Sequence, residues 1–280
     1  MTLLAVVDVA RGVLDPAAPV LHADDEGVLR GRAVFETLRV YGGAPFKLEA
    51  HLERLGASAQ RLRLPEPPRG DFAAATVAAV RAGGQPDATL RLLWTAGQEG
   101  GGGAPVGLVL VSSLPAGLEE LRFRGLKVAV VRWAPGALAG AKSTSYAENI
   151  AAQHEAAERG ADDALLVAPD DTILEAPTSN AWFREGARLL TPSLALPVLA
   201  GVTRATLCEL APDAGYEVEE GVYPLARLLG SDEVFLTSSV REVAPVVAVD
   251  RGVVAGGGPG PAAAALQRAL RTAAGYPESR

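Results

Sequence analysis

Apolar and polar residues alternate along this chain with two periods, and the pattern predicts a mixture of strands and helices. Strict alternation or a short apolar run predicts a strand, whereas apolar residues three and four positions apart predict a helix. Before residue 113 the pattern predicts strands at 2–7, 34–41, 88–94 and 106–112 and helices at 48–64 and 71–82.

A segment with two breakers, Pro115 and Gly117, follows these elements and is interpreted as a linker over 113–121. It separates a smaller domain, 1–112, from a larger domain, 122–280, which is richer in short strands. In the larger domain the pattern predicts helices at 145–159, 203–211 and 261–274 and strands at 126–133, 164–167, 172–175, 181–184, 188–191, 216–222 and 233–237.

Composition narrows the class of protein. The chain has 280 residues, of which 49% are hydrophobic and 21% charged, as in globular proteins. A net charge of −7 argues against binding to nucleic acid or to an anionic membrane. Cys208 is the one cysteine and lies in a helical pattern, so we expect a core thiol and a reducing, cytoplasmic location. His22, His51 and His154 are scattered, so no metal site is expected.

Lys142 is the first candidate for chemistry, because it stands among small residues between a predicted strand and a predicted helix. Schiff-base chemistry needs an amine that can lose its charge and reach a carbonyl. Glu175 ends an apolar strand further along, and a carboxylate can pair with the pyridinium nitrogen of a cofactor. Taken alone, a lysine in such a segment is usually an ordinary surface lysine.

Three other segments contain groups that could bind an anion. Arg54 lies one turn from the apolar face of its helix and is either a solvated charge or a phosphate anchor. Val202 and Thr203 open a helix, where amides and a hydroxyl favour phosphate, although Thr203 could simply cap the helix. Ser239 and Val240 follow a strand and could add to a phosphate site or form an ordinary turn.

The order and spacing of these segments resemble the class IV, fold-type IV pyridoxal-phosphate enzymes over about residues 20 to 250. That superfamily includes D-amino acid transaminases, branched-chain aminotransferases, (R)-amine transaminases and aminodeoxychorismate lyase. The resemblance implies an α+β, two-domain fold with a small N-terminal α/β domain and a larger, β-rich C-terminal domain, and it implies a homodimer. The motifs that carry it are Gly31-Arg-Ala-Val-Phe-Glu-Thr-Leu-Arg39, His51-x-x-Arg54-Leu55, Lys142, Glu175-x-x-x-Ser179-Asn180, Gly201-Val-Thr-Arg204 and Thr237-Ser-Ser239.

The resemblance also implies a role for each matched residue toward pyridoxal 5′-phosphate. Lys142 would form the internal aldimine and move the proton between substrate and cofactor. Glu175 would hold the pyridine nitrogen protonated, Leu199 would pack on the ring, and Tyr146 would lie near the phenolic oxygen. The residues that would bind the phosphate are Arg54, Val202, Thr203, Ser239 and Val240.

Substrate recognition depends on cations that can read a carboxylate. Arg30 stands where branched-chain enzymes have a tyrosine, and Arg91 alternates with apolar neighbours on a predicted strand, where a solvated arginine is the alternative. The loop over 100–106 holds neither the Arg nor the His of the well-known D-amino acid transaminase pattern. Arg30 and Arg91 therefore resemble the carboxylate trap of less typical D-amino acid transaminases, and Phe35 and Thr37 would line the substrate pocket.

We therefore expect a transaminase that moves an amino group from a D-amino acid, and also from an (R)-amine, to a 2-oxo acid. The first alternative is 4-amino-4-deoxychorismate lyase, because residues 35–39 resemble its Phe-Thr-Thr-x-Arg motif and Thr37 could protonate the leaving pyruvate. The second alternative is a branched-chain L-amino acid aminotransferase. A cofactor-binding protein with little turnover is a third class, against which the presence of Lys142 argues.

Overall fold

The computed structural model describes residues 1–276, which divide into two compact units. The first unit comprises Met1–Ala116 together with Ala141–Tyr146, and the second comprises Gly117–Gly140 and the chain from Ala147 onward. The short segment that carries Lys142 thus belongs to the first unit, although second-unit residues flank it in sequence. The predicted division at 113–121 assigned this segment, residues 141–146, to the larger domain instead.

The first unit is an antiparallel sheet with helices on one face. Within the described residues its six strands have the order β2-β1-β6-β5-β3-β4. Helices α2 and α3 pack on this sheet, and their apolar side chains form one core with alternate residues of the strands. The elements are β1 (Leu3–Asp8), β2 (Gly12–Leu14), α1 (Glu26–Leu29), β3 (Ala33–Tyr41), β4 (Ala44–Pro45), α2 (Leu48–Arg61), α3 (Arg69–Gly83), β5 (Ala88–Thr95) and β6 (Gly107–Ser112).

Strand β3 shows how alternation sorts the side chains of this unit. Successive side chains of a strand point to opposite faces. Val34, Leu38 and Val40 belong to the core beneath the helices. Glu36 lies on that same face, where its carboxylate meets side chains of α2. Phe35 and the other odd-numbered residues of β3 therefore lie on the face away from α2.

The second unit is built on a mixed sheet. Its path is β12-β11-β10-β13-β14-β7-β8, with β9 added to β10 and β15 to β14. The β11–β12, β7–β14 and β7–β8 pairs are parallel and the others antiparallel. The elements are α4 (Leu118–Arg124), β7 (Leu126–Arg132), α5 (Ala147–Glu158), β8 (Asp163–Val167), β9 (Glu175–Ala176), β10 (Ser179–Glu185), β11 (Arg188–Pro192), α6 (Val202–Leu210), β12 (Glu217–Gly221), α7 (Leu225–Leu229), β13 (Glu233–Ser238), β14 (Glu242–Val249), β15 (Gly252–Val253) and α8 (Pro261–Ala273).

Several elements depart from the predicted pattern, and the short elements β2, β4, β15, α1, α4 and α7 have no predicted counterpart. Strand β14, which has no predicted counterpart, lies inside the sheet between β13 and β7. The predicted strand at 172–175 is reduced to isolated bridges at Thr172 and Ile173, and the regular strand is β9. Helix α5 begins at Ala147 rather than at 145, because Thr144 is still paired with β3 through its backbone. No helix of residues 1–276 is both long and apolar enough to cross a bilayer.

Candidate active site

Lys142 lies in a short extended segment that pairs with the beginning of β3. The Phe35 amide donates to the Lys142 carbonyl at 2.9 Å, and the Thr144 amide donates to the Ala33 carbonyl at 2.9 Å. Val34 and Ser143 form an antiparallel bridge between these bonds. The backbone that carries the predicted nucleophile is therefore fixed to the sheet of the first unit, on the strand of the Phe-Glu-Thr motif.

The side chain of Phe35 brings three other predicted site residues together. The Lys142 Nζ lies 4.4 Å from the centre of the Phe35 ring, and the Arg91 guanidinium carbon lies 5.4 Å from the same centre. Tyr146 packs edge-on against this ring with a centroid distance of 5.7 Å. Both cations are close enough to the ring for cation–π attraction, which is strongest within about 6 Å.

Thr37 joins this group through the register of the sheet. Thr37 on β3 pairs directly with Arg91 on β5, so the two side chains share one face. Thr37 is half-buried, whereas Arg91 is exposed. A hydroxyl and a guanidinium thus stand on the Phe35 face of the sheet.

Arg30, the other predicted carboxylate reader, meets a carboxylate of its own chain. Its Nε donates to Glu99 Oε1 at 2.9 Å, and a second guanidinium nitrogen also donates to that oxygen. The hydrogen bond to Glu99, and the charge of Glu99, raise the pKa of the Arg30 guanidinium. Both side chains are largely exposed, so the pair is easily exchanged for another carboxylate.

Arg54, the predicted phosphate anchor, forms an ion pair inside the first unit. Its Nε and a terminal nitrogen donate to the two oxygens of Glu36 at 2.8 and 2.6 Å. Glu36 is fully buried, and its second oxygen lies 2.8 Å from His51 Nδ1. A guanidinium has five N–H donors, so this pairing is compatible with an additional phosphate contact. The role of Arg54 toward phosphate stays a prediction.

Burial and charge act in opposite directions on these two titratable groups. Burial alone would raise the pKa of Glu36, but the Arg54 charge and the hydrogen bonds from Arg54 and His51 lower it to about 2. Burial lowers the pKa of His51, against the opposing effect of Glu36, and the charges of Arg54 and Lys142 lower it further. Glu36 is therefore ionised and His51 neutral near pH 7.

Glu175 lies in the second unit within a three-residue network. Its Oε2 accepts hydrogen bonds from the Leu199 amide and from Asn180 Nδ2, both at 3.1 Å. Asn180 Nδ2 also donates to the Leu199 carbonyl at 2.8 Å. Two donors therefore orient the Glu175 carboxylate, and Leu199 contributes both of its backbone polar groups to the network.

The start of α6 has the features of an anion site. Gly201 is the N-cap residue and has no side chain to satisfy the first amides of the helix, and Thr203 adds a buried hydroxyl. A Cβ at Gly201 would lie 1.9 Å from Asn180 Oδ1, so a side chain cannot be accommodated there without moving Asn180. Helix N-termini bind phosphate through these amides and the helix dipole.

Ser239 and Val240, the last predicted phosphate ligands, lie in the turn between β13 and β14 and are half-buried. Ser238 Oγ accepts a hydrogen bond from the Arg241 amide at 3.3 Å across this turn. The Arg241 side chain in turn pairs with the buried carboxylate of Asp163. The turn is therefore fixed at its far end by an ion pair.

Sequence reasoning assigned no role to four residues that organise these groups. Asn180 and Glu36 stand in motifs that gave them no function, and nothing in the sequence marks Glu99 or Ser58, whose Oγ accepts a hydrogen bond from the Lys142 amide. A charged residue at a core position of β3 requires a buried cation, and in principle this predicts the contact of Glu36 with the His51-x-x-Arg54 helix.

Comparisons with known proteins agree with this geometry. The family model for amino-transferase class IV matches residues 33–249. A bifunctional aminodeoxychorismate lyase / D-amino acid transaminase of Mycobacterium tuberculosis is 36% identical, with 88% of this chain and 91% of the relative covered. The aminodeoxychorismate lyase of Bacillus subtilis is 32% identical, with 89% and 87% covered. Other relatives are named branched-chain-amino-acid aminotransferase and D-alanine aminotransferase.

A solved structure of an aminotransferase has a closely similar fold. A hypothetical aminotransferase from Mycobacterium tuberculosis in its PLP-bound form has a TM-score of 0.89 at 33% identity, with 96% of this chain and 98% of that chain covered. The chain belongs to the class IV aminotransferase family. The predicted family and the fold-type IV class are thereby confirmed.

The protein is a pyridoxal-phosphate-dependent enzyme, and the predicted cofactor is confirmed. The residues present fit this group. Taken separately, the first unit contains an amine on a fixed backbone, and the second unit contains an oriented carboxylate and a helix start whose cap residue is glycine. Among residues 1–276 no cluster of three or more His, Cys, Asp or Glu side chains could hold a metal ion.

Proposed function

We propose that this chain is a transaminase that transfers the amino group of a D-amino acid, and also of an (R)-amine, to a 2-oxo acid. The observation that carries the proposal is the pair of cations on Phe35, where the Lys142 amine and the Arg91 guanidinium approach one ring. A guanidinium near the reacting amine can bind the α-carboxylate of an amino acid through two parallel hydrogen bonds.

Lys142 is the catalytic residue of this proposal. Bound pyridoxal phosphate supplies an electron sink for the electrons that remain when a proton leaves the substrate Cα. Lys142 would hold the cofactor covalently, and its free amine would accept the Cα proton of the substrate and return it.

The second unit contributes binding and electronic control. Glu175, oriented by Asn180 and the Leu199 amide, would accept a hydrogen bond from the protonated pyridine nitrogen and keep that proton in place. The amides of Val202 and Val240 and the hydroxyls of Thr203 and Ser239 would bind the phosphate. Leu199 would pack on the ring.

Other predicted residues retain their roles in the proposal. Arg54 would add a cation to the phosphate, and Tyr146 would lie near the phenolic oxygen of the cofactor. Arg30 would bind a substrate carboxylate after releasing Glu99. We further propose that the enzyme acts in the cytoplasm as a homodimer.

Aminodeoxychorismate lyase is the second candidate, and one observation favours it. Thr37 stands directly opposite Arg91 on the Phe35 face, where a hydroxyl could protonate a leaving pyruvate. The 36%-identical Mycobacterium tuberculosis relative is named for both activities.

The experiment that tests the proposal presents the purified, cofactor-loaded protein with D-alanine and 2-oxoglutarate, and separately with aminodeoxychorismate. We expect pyruvate and glutamate to form together from D-alanine. Pyruvate formed from aminodeoxychorismate alone, with no reaction of D-alanine, would assign the lyase activity instead.

A further inference from the structure

Ser58 contacts the backbone of Lys142. It lies on α2, one turn after Arg54, and its side chain is almost fully buried at 3% exposed. Its Oγ accepts the hydrogen bond of the Lys142 amide at 3.1 Å. The carbonyl of Lys142 accepts from Phe35, so both backbone polar groups of this residue are bonded within the first unit.

The residues after Lys142 are fixed in a similar way. The hydroxyls of Thr144 and Ser145 both donate to the Gly31 carbonyl at 3.1 Å. A Cβ at Gly31, whose φ is +65°, would lie 2.5 Å from Ser145 Oγ, so glycine is required for this close approach. Hydrogen bonds therefore fix the segment from residue 142 to residue 145, and the bond to Ser58 is the one that connects this segment to α2.

We propose that Ser58 is a positioning residue for Lys142, and this inference rests on the role proposed for that lysine. A lysine that bonds to a cofactor and then moves a proton needs a fixed Cα, because four flexible carbons already separate its amine from the backbone. The Ser58 hydroxyl fixes that Cα by accepting the one hydrogen bond that the Lys142 amide can donate.

A helical preference does not account for a serine at this position. Serine is a weaker helix former than alanine, and its hydroxyl commonly competes for backbone groups of its own helix. At Ser58 the hydroxyl instead accepts from a residue 84 positions away in sequence. Replacement by alanine therefore removes the bond to Lys142 without weakening α2.

The test compares Ser58→Ala with Thr76→Val in the full-length protein. Thr76 lies on α3 in the same unit and is fully buried, and its hydroxyl has no hydrogen-bond partner among the described residues. Its replacement controls for the loss of a buried hydroxyl in general. Hydrogen exchange of the Lys142 amide, covalent capture of added pyridoxal phosphate by apoprotein, and kcat and KM are measured for both variants.

For Ser58→Ala we expect faster exchange of the Lys142 amide, slower covalent capture, and a kcat lowered by roughly three- to tenfold with KM nearly unchanged. Thr76→Val should leave all of these at wild-type values. Wild-type exchange and capture in Ser58→Ala, or equal losses in both variants, would overturn the inference. If the wild type transaminates no D-amino acid, the proposed function fails, yet exchange and capture still decide the role of Ser58.

Discussion

The guanidinium of Arg54 forms a two-pronged ion pair with the carboxylate of Glu36, at 2.8 and 2.6 Å, inside the first unit. The pair joins α2, which carries the predicted phosphate anchor, to β3, which carries Phe35 on its other face. Since Glu36 is fully buried, its charge is tolerated only because Arg54 and His51 surround it.

This ion pair predicts a specific loss of stability in acid. The pKa of Glu36 is about 2 in the folded protein, below its ordinary value, so the stabilisation is complete above about pH 4.5 and is lost as the pH falls toward 2. The loss should be on the order of 3 kcal/mol. Urea unfolding of wild type and Glu36→Gln between pH 6 and pH 2 measures it. Parallel pH profiles for the two proteins would contradict the prediction.

Replacement of Lys142 by alanine should lower turnover by at least about a hundredfold, because covalent and proton-transfer steps both depend on its amine. Cofactor should still bind through the phosphate contacts, but borohydride reduction should no longer fix it to the chain. Mass spectrometry of the reduced protein checks the attachment. Retention of more than a few per cent of the activity would refute the assignment.

Glu175→Gln should reduce the rate more than it reduces cofactor affinity. The rate should fall because a neutral amide cannot hold the pyridine nitrogen protonated. Cofactor affinity should fall less because Asn180 and the Leu199 amide can still donate to the side-chain oxygen of the glutamine. Single-turnover rates and cofactor titrations separate the two effects. Unchanged turnover with weaker cofactor binding would mean that Glu175 only positions the ring.

Arg91→Leu and Arg30→Leu test the substrate clamp. A charge-assisted bond to a carboxylate contributes about 1.5–3 kcal/mol, so each variant should lose tenfold or more in kcat/KM for D-alanine. (R)-1-Phenylethylamine has no carboxylate and should be affected far less. Equal losses on both donors would show that the arginines support structure or cofactor, and no loss at Arg91 would make it a solvated charge on β5.

The local pattern of apolar and polar residues predicted most of the longer helices and strands. It failed for β14, whose sequence is unusual for an internal strand. Strand β14 contains Pro245, which lacks an amide for the ladder and argues against an internal strand. The strand is nonetheless buried along nearly its whole length. No local signal marks β14 as internal, because one of its two neighbours in the sheet, β7, is remote in sequence.

The candidate site was predictable as residue types and motifs, not as contacts. The motifs identified Lys142, Glu175 and Arg54, yet Arg54 was weighed as a solvated charge or a phosphate anchor, and its buried partner Glu36 was not foreseen. Pairing of residues 142–144 with β3 joins positions more than a hundred apart. Sequence periodicity carries no information on such long-range contacts, so the contacts of Ser58 and Asn180 are seen only in the structure.

The most direct test of the central claim is a half-reaction of the purified, cofactor-loaded protein with D-alanine, in the absence of any 2-oxo acid. We predict that pyruvate forms in an amount equal to the bound cofactor and that the visible absorbance of the lysine-bound cofactor is lost at the same rate. The Lys142→Ala variant should form no pyruvate and should show no such change in absorbance. L-Alanine and L-leucine should react far more slowly. Faster reaction of L-leucine, or no pyruvate from D-alanine, would contradict the account.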